Sequence, residues 1–117
     1  MRYFKIEEFD SPDLQGSGFE MDKTFLSMID NARSIAKIPF KINSGFRTHK
    51  RNRKVGGKIN SSHLKGLAAD ISVTDSVSRF IVLNALKDVG FTRIGIAETF
   101  IHCDIDTTKT QKVIWVY

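Results

Sequence analysis

The run Ser61-Ser62-His63-Leu64-Lys65-Gly66-Leu67-Ala68-Ala69-Asp70 and the later Ile101-His102-Cys103-Asp104 hold the side chains of this sequence best suited to chemistry. Two imidazoles and a carboxylate can close three sides of a zinc tetrahedron and leave the fourth for water, as a hydrolytic zinc requires. The span from Leu64 to Ala69, with Gly66 and the small Ala68 and Ala69, can bend so that His63 and Asp70 meet. A third donor can come from Phe100 to Ile105. Period-two alternation there places His102 and Asp104 on one face and Ile101, Cys103 and Ile105 on the other. Spacing alone leaves the reading open, because a histidine taken singly is more often a hydrogen-bonded core or surface residue.

The elements that must position these groups follow from the apolar pattern. Ala68 to Val73 is apolar on alternate residues and reads as a strand, with Asp70 a charge inside it. Burying that carboxylate in a central strand costs several kcal/mol unless it is paired or bound to a metal. A helix is predicted from about Asp22 to Lys37, with Phe25, Met28, Ile29, Ala32, Ile35 and Ala36 on one face and Pro39 marking its end. Phe40 to Ser44 alternates as a short strand. The basic segment after it, with Gly56-Gly57, has no period of either kind and is expected to be a loop of the length that carries function or stays disordered.

Thr74 or Asp75 can cap a second helix running to about Val89, with Val77, Phe80, Ile81, Ala85 and Leu86 buried and Gly90 as its stop. Strands are expected at Thr92 to Ile96, Phe100 to Ile105 and Val113 to Tyr117, with Ala97-Glu98-Thr99 as a turn. The order predicts an α+β fold in which two main helices cover one face of an antiparallel or mixed sheet. Residues 1–21, with turn chemistry at Asp10-Ser11-Pro12-Asp13 and Gly16-Ser17-Gly18, read as an irregular lead-in. No linker or repeat divides the chain, so residues 1–117 are expected to form one domain.

Composition bounds the rest. At 117 residues the chain can build one modest core without staples. The single cysteine, Cys103, excludes an internal disulfide. A buried thiol on the far side of the His102 strand is its expected state. The first residues carry Glu7 and Glu8 where a signal peptide would be apolar, and no stretch approaches the roughly 20 apolar residues of a membrane span. Synthesis in the cytoplasm, with no membrane span, is the expectation. The net charge of +5 is concentrated in Arg47 to Lys58, a segment that could meet nucleic acid, an anionic surface, a carboxylate-rich substrate, or solvent alone.

Ser61-x-His63-x-x-Gly66-x-Ala68-x-Asp70 resembles the Ser-x-His-x-x-Gly-x-Ala-x-Asp signature of the zinc D-Ala-D-Ala carboxypeptidases. These belong to the wider group of lysostaphin-type peptidases, D-Ala-D-Ala metallopeptidases and the hedgehog signalling domain. Ser44-Gly45-Phe46-Arg47-Thr48 is similar to that family's Ser-Gly-aromatic-Arg-Ser/Thr element. Asn52 and Val55-Gly56-Gly57 sit where its loop has them. Phe100-Ile101-His102-Cys103-Asp104 resembles its Phe-(Ile/Val)-His-Val-Asp strand, and the Ile114-Trp115-Val116-Tyr117 end is similar to small phage and prophage members. The resemblance covers roughly residues 20–117.

The resemblance implies that His63, Asp70 and His102 bind Zn²⁺ and that Arg47 holds a carboxylate or polarises the scissile carbonyl. The implied activity is hydrolysis of peptide bonds in peptidoglycan stem peptides by a zinc-activated water, with its pKa lowered to about 7 and a carboxylate taking the proton. It also implies a hedgehog/D-Ala-D-Ala peptidase-like fold acting as a monomer, in a phage lysis or virion setting. Several branches place a catalytic Glu or Asp three residues before the last zinc histidine, and that position here is Thr99. Two carboxylates remain: Asp104, as base or as orienter of the site, is the first choice, and Glu98, in the turn, the second. Ser61 is expected to orient the His63 loop and to contact substrate. Trp115 and Tyr117 are expected in the core or the cleft wall, and His49 in solvent.

Two other readings stay open. A zinc-bearing but inactive binding module predicts bound metal without hydrolysis. A nucleic-acid-binding domain built on Arg47 to Lys58 predicts steep salt dependence, and the lack of aromatic residues in that segment speaks against single-strand stacking.

Overall fold

A computed structural model describes residues 1–117. Its centre is a five-stranded mixed sheet in the order β1-β2-β4-β3-β5. The strands are β1 (Ile42–Ser44), β2 (Ala68–Ser72), β3 (Arg93–Ile96), β4 (Phe100–Asp104) and β5 (Val113–Val116). All neighbouring pairs are antiparallel except β3 with β5. Three helices join them: α1 (Lys23–Ala36), α2 (His49–Lys54) and α3 (Ser76–Asp88). No helix is long and apolar enough to cross a membrane.

Alternation along the inner strands sorts side chains onto two faces. Ala69 lies opposite Cys103 and Ile71 opposite Ile101, and these join Ile94 in the core under α1 and α3. Cys103 is fully buried and unpaired, as expected. The intervening pair, Asp70 opposite His102, points to the other face. Interior strand positions thus carry both groups, and the fold gives one face to the core and the other to the polar site.

Local signals set the helix ends. The Asp22 side chain accepts from the Phe25 N–H to cap α1, and Asp75 accepts from Ser78 to cap α3. The α1 stripe is Phe25, Leu26, Ile29 and Ala32, whereas Ile35 is exposed. α3 differs more from expectation. Val82, Ala85 and Leu86 form its buried side, and Val77 and Phe80 face solvent. Its apolar residues surround the helix, so periodicity does not single out one face.

The basic segment expected to be a loop contains α2. Thr48 caps it by accepting from the Arg51 N–H, and its last turn carries Arg51, Arg53 and Lys54, which complement the carboxyl end of the helix. The lead-in forms two short 3-10 turns, Ile6–Phe9 and Ser17–Glu20. It delivers Phe4 and Phe9 to the core, their rings 5.2 Å apart. Phe9 also backs the strand end, since its carbonyl accepts from the Phe46 N–H at 2.9 Å. Gly45 lies so close that a Cβ there would stand 2.8 Å from the Phe9 Cα. That contact matters because the Gly45 carbonyl belongs to the site.

Candidate functional site

His63 sits on a 3-10 turn, Ser62–Lys65, whose start is capped by Ser61 accepting from the His63 N–H at 3.3 Å. The ring donates its Nδ1–H to the Gly45 carbonyl at 2.8 Å. Nε2 is therefore the nitrogen with a free lone pair, and it points to Asp70 Oδ1 at 3.4 Å. His102 is turned the opposite way. Its Nε2–H donates to Asp104 Oδ2 at 2.7 Å, and Nδ1 stands 2.9 Å from Asp70 Oδ1.

One ligand atom from each of His63, Asp70 and His102 lies within 4.8 Å of the others, and all three residues are buried. Donors around a tetrahedral ion with bonds of about 2.0–2.1 Å stand about 3.3 Å apart, so the cluster has the right size. The donor chemistry fits as well: two neutral imidazole nitrogens, one carboxylate, and a partner holding the outer nitrogen of each ring. These residues could hold a metal ion.

Electrostatics agree with a tightly coupled group. Burial pushes the Asp70 carboxyl up, but the imidazoles of His102 and His63 beside it outweigh burial and hold it well below the usual range. Burial opposes charge on His102, while Asp104 and Asp70 together raise its pKa. Asp104 is lowered because the His102 bond, the Asp106 N–H and the Arg93 charge overcome its burial.

Arg47 reaches the same place from the end of β1. Its Nε donates to Ser44 Oγ at 3.0 Å and its Nη1 to Asn52 Oδ1 at 3.2 Å, leaving Nη2 at 3.6 Å from Asp70 Oδ2. Asn52, buried on the inner side of α2, also donates to the Lys58 carbonyl. α2 thus orients Arg47 and anchors the loop after it.

A cleft of about 610 Å³ collects Arg47, Ser61, His63, Asp70, His102 and Asp104. Glu98 is exposed in the β3–β4 turn and is not among the residues lining the cleft. Asp104 is 1% exposed, and its second oxygen accepts from Arg93 Nε at 2.8 Å and the Asp106 N–H at 3.0 Å. His49 is exposed on α2.

Arg93, Gly95 and Asp106 escaped the sequence reading, whereas Trp115 and Tyr117 stand in the cleft wall, one of the two places expected for them. Arg93 holds Asp104 and stacks over Trp115, 5.0 Å from the ring centroid. Trp115 lines the cleft 5.5 Å from the His102 ring, with Tyr117 and Phe100 beyond it. Gly95 makes this possible, since it is opposite both His102 and Trp115, and a Cβ there would lie 2.5 Å from Trp115 Nε1. Asp106 is fully buried, accepting from Ser62, Lys65 and Thr108 and so fixing the turn that carries His63. The signal for Asp106 was present, because it continues the alternation of His102 and Asp104. The Arg93 pairing required the β3–β4 register.

Among known proteins, a family model described as Peptidase M15 matches residues 3–104. No curated protein matches the chain. The matched span includes His63, Asp70, His102 and Arg47, and ends before Lys109, Trp115 and Tyr117.

Proposed function

The chain belongs to the peptidase M15 family, a family of metal-dependent peptidases, and from that premise we propose that it is a zinc peptidase of peptidoglycan stem peptides. The observation that carries this reading is the convergence of His63, Asp70 and His102, with the outer nitrogen of each ring already committed to an acceptor. His63 Nε2, an Asp70 oxygen and His102 Nδ1 would hold the ion. When bound, zinc supplies a Lewis acid and an acidified water.

The remaining work falls to the chain's own side chains. Asp104 keeps the Nε2 proton on His102 and so directs Nδ1 inward. With both oxygens engaged and its carboxylate buried, it serves as a positioning residue. Arg47, pinned by Ser44 and Asn52, presents a guanidinium edge that suits the carbonyl or carboxylate of a peptide. Ser61, which lines the cleft, supports His63 and can meet the same substrate. Glu98, which lies outside the cleft lining, is the proposed proton carrier by a swing of its exposed side chain from the β3–β4 turn into the cleft. Its backbone is held by Arg79 donating to its carbonyl at 3.0 Å, and the carboxylate is free in solvent two residues before Phe100 of the cleft wall. We place the protein as a single-domain monomer of a phage or prophage lysis setting, supported by the sequence resemblance.

A second reading is favoured by one observation: Asp70 and Asp104 are the cleft's carboxylates, and both are engaged. A protein with this site and no working proton acceptor would bind wall peptides without cutting them. A digest of purified peptidoglycan and synthetic stem peptides, read by mass spectrometry with zinc and with chelator, separates the two. Zinc-dependent loss of one defined fragment supports the peptidase and names the bond. Intact peptides, with protein carrying one zinc, support the binding module.

A further inference from the structure

Six of the chain's 18 lysines and arginines lie between Arg47 and Lys58, a segment with no acid, and the remainder of the chain carries 12 cations against 13 acids. The whole positive excess therefore belongs to α2 and the loop after it. The helix sharpens the distribution. Asn52 faces inward, while Lys50, Arg53 and Lys54, three and four residues apart, share an exposed face.

None of these cations forms an ion pair inside the fold. Its ion pairs employ Arg2, Arg47, Lys65, Arg93 and Lys109, and none employs Lys50, Arg51, Arg53, Lys54 or Lys58. Asp13 is the acid in the shallow depression beside Lys50, Arg51 and Lys54, and its carboxylate is taken by the hydroxyls of Ser11 and Thr48. The like charges also crowd one another, and the Arg51 charge presses on Arg47. Like charges at this helical spacing destabilise a helix, so the arrangement favours an anionic partner.

The face runs into the cleft. Val55, Gly56, Gly57 and Lys58 follow α2 directly and form one cleft wall. The segment holds no Phe, Tyr or Trp on which a base could stack. Paired guanidinium and ammonium groups suit repeated phosphate oxygens.

We propose that the α2 face docks a wall-attached anionic polymer with repeating phosphodiester groups, which holds the neighbouring cleft against its substrate. The proposal rests on the peptidoglycan reading above, and its test reads binding without hydrolysis. Chelator-treated full-length protein is sedimented with isolated bacterial walls that keep their phosphodiester polymer and with walls stripped of it. The comparison variant is Lys50→Gln/Arg53→Gln/Lys54→Gln, which leaves the cleft residues untouched. A thermal melt checks folding, and stem-peptide hydrolysis by the zinc-loaded protein checks the site.

Stripping the walls, or making the three substitutions, should each weaken binding at least tenfold. Raising salt should weaken binding of the intact protein and have a smaller effect on the variant. The variant should melt no lower than the parent, since it relieves like-charge crowding on α2, and should keep its rate on short peptides. Equal binding to stripped walls, or a folded variant that binds like the parent, would overturn the proposal while leaving the peptidase reading intact. Tighter binding to duplex DNA than to intact walls at the same salt would also overturn it, in favour of a nucleic-acid partner. Loss of peptide hydrolysis alone would count against the peptidase reading and not against the docking face.

Discussion

His102 donates its Nε2–H to Asp104 across 2.7 Å, from a position two residues earlier on the same face of β4. That contact fixes which nitrogen of His102 meets Asp70, and it uses the carboxylate that would otherwise be the obvious base. Orientation and proton transfer make different demands on Asp104, so experiment can separate them.

Asp104→Asn should weaken zinc affinity by about 10–100-fold, the usual consequence of losing a partner behind a metal-bound histidine. Competition against a chromophoric chelator measures this. A large fall in kcat with unchanged zinc affinity would instead return Asp104 to the role of base.

Glu98→Gln should lower kcat by about 10²–10⁴-fold, the range typical of general acid–base groups, with zinc affinity unchanged because the side chain is exposed and outside the metal cluster. Steady-state kinetics on a defined stem peptide give the result, and an unaltered kcat removes Glu98 from the mechanism.

Trp115 is the chain's one tryptophan and lies 5.5 Å from the His102 ring, so its emission should change as zinc is added to chelator-treated protein. Gly95→Ala should displace that ring, reduce the response and destabilise the fold by about 1–3 kcal/mol, as overpacking does. Fluorescence titration and urea unfolding measure the two effects.

Asp106 contributes acid-sensitive stability. Burial pushes its carboxyl up, but bonds from Thr108, Ser62 and Lys65 outweigh that and hold its folded pKa below the unfolded value of about 3.9. The contribution is complete above that unfolded value and is lost as pH falls toward the folded one. The stability gap between the parent protein and Asp106→Asn should therefore be widest near neutral pH and shrink below about pH 4. Urea unfolding across that range gives the comparison, and a gap that grows on acidification would contradict the assignment.

Much of this architecture was legible residue by residue. Asp70 stood out as a charge in an apolar strand, and alternation alone put His102 opposite in facing to Cys103. The start of α1 was expected at about Asp22, and that of α3 at a cap on Thr74 or Asp75, of which Asp75 is the one used. α2 was hidden because its helix has no apolar stripe: Thr48 caps it and Asn52 ties it inward, features that periodicity does not register. Val77 and Phe80 were misassigned to the core because α3 is apolar around its circumference. The Arg93–Asp104 pair and the Gly95–Trp115 contact depend on how β3 aligns with β4 and β5, and alignment between strands is a property of the assembled sheet.

The most direct test is a zinc titration of chelator-treated protein, with hydrolysis of a stem peptide as readout, performed on the parent chain and on His63→Ala and His102→Ala. Activity should rise from zero to a plateau at one equivalent of zinc for the parent, and neither variant should recover at that concentration. Activity that persists in chelator, or that either variant regains at one equivalent, would contradict a metal centre built from His63, Asp70 and His102.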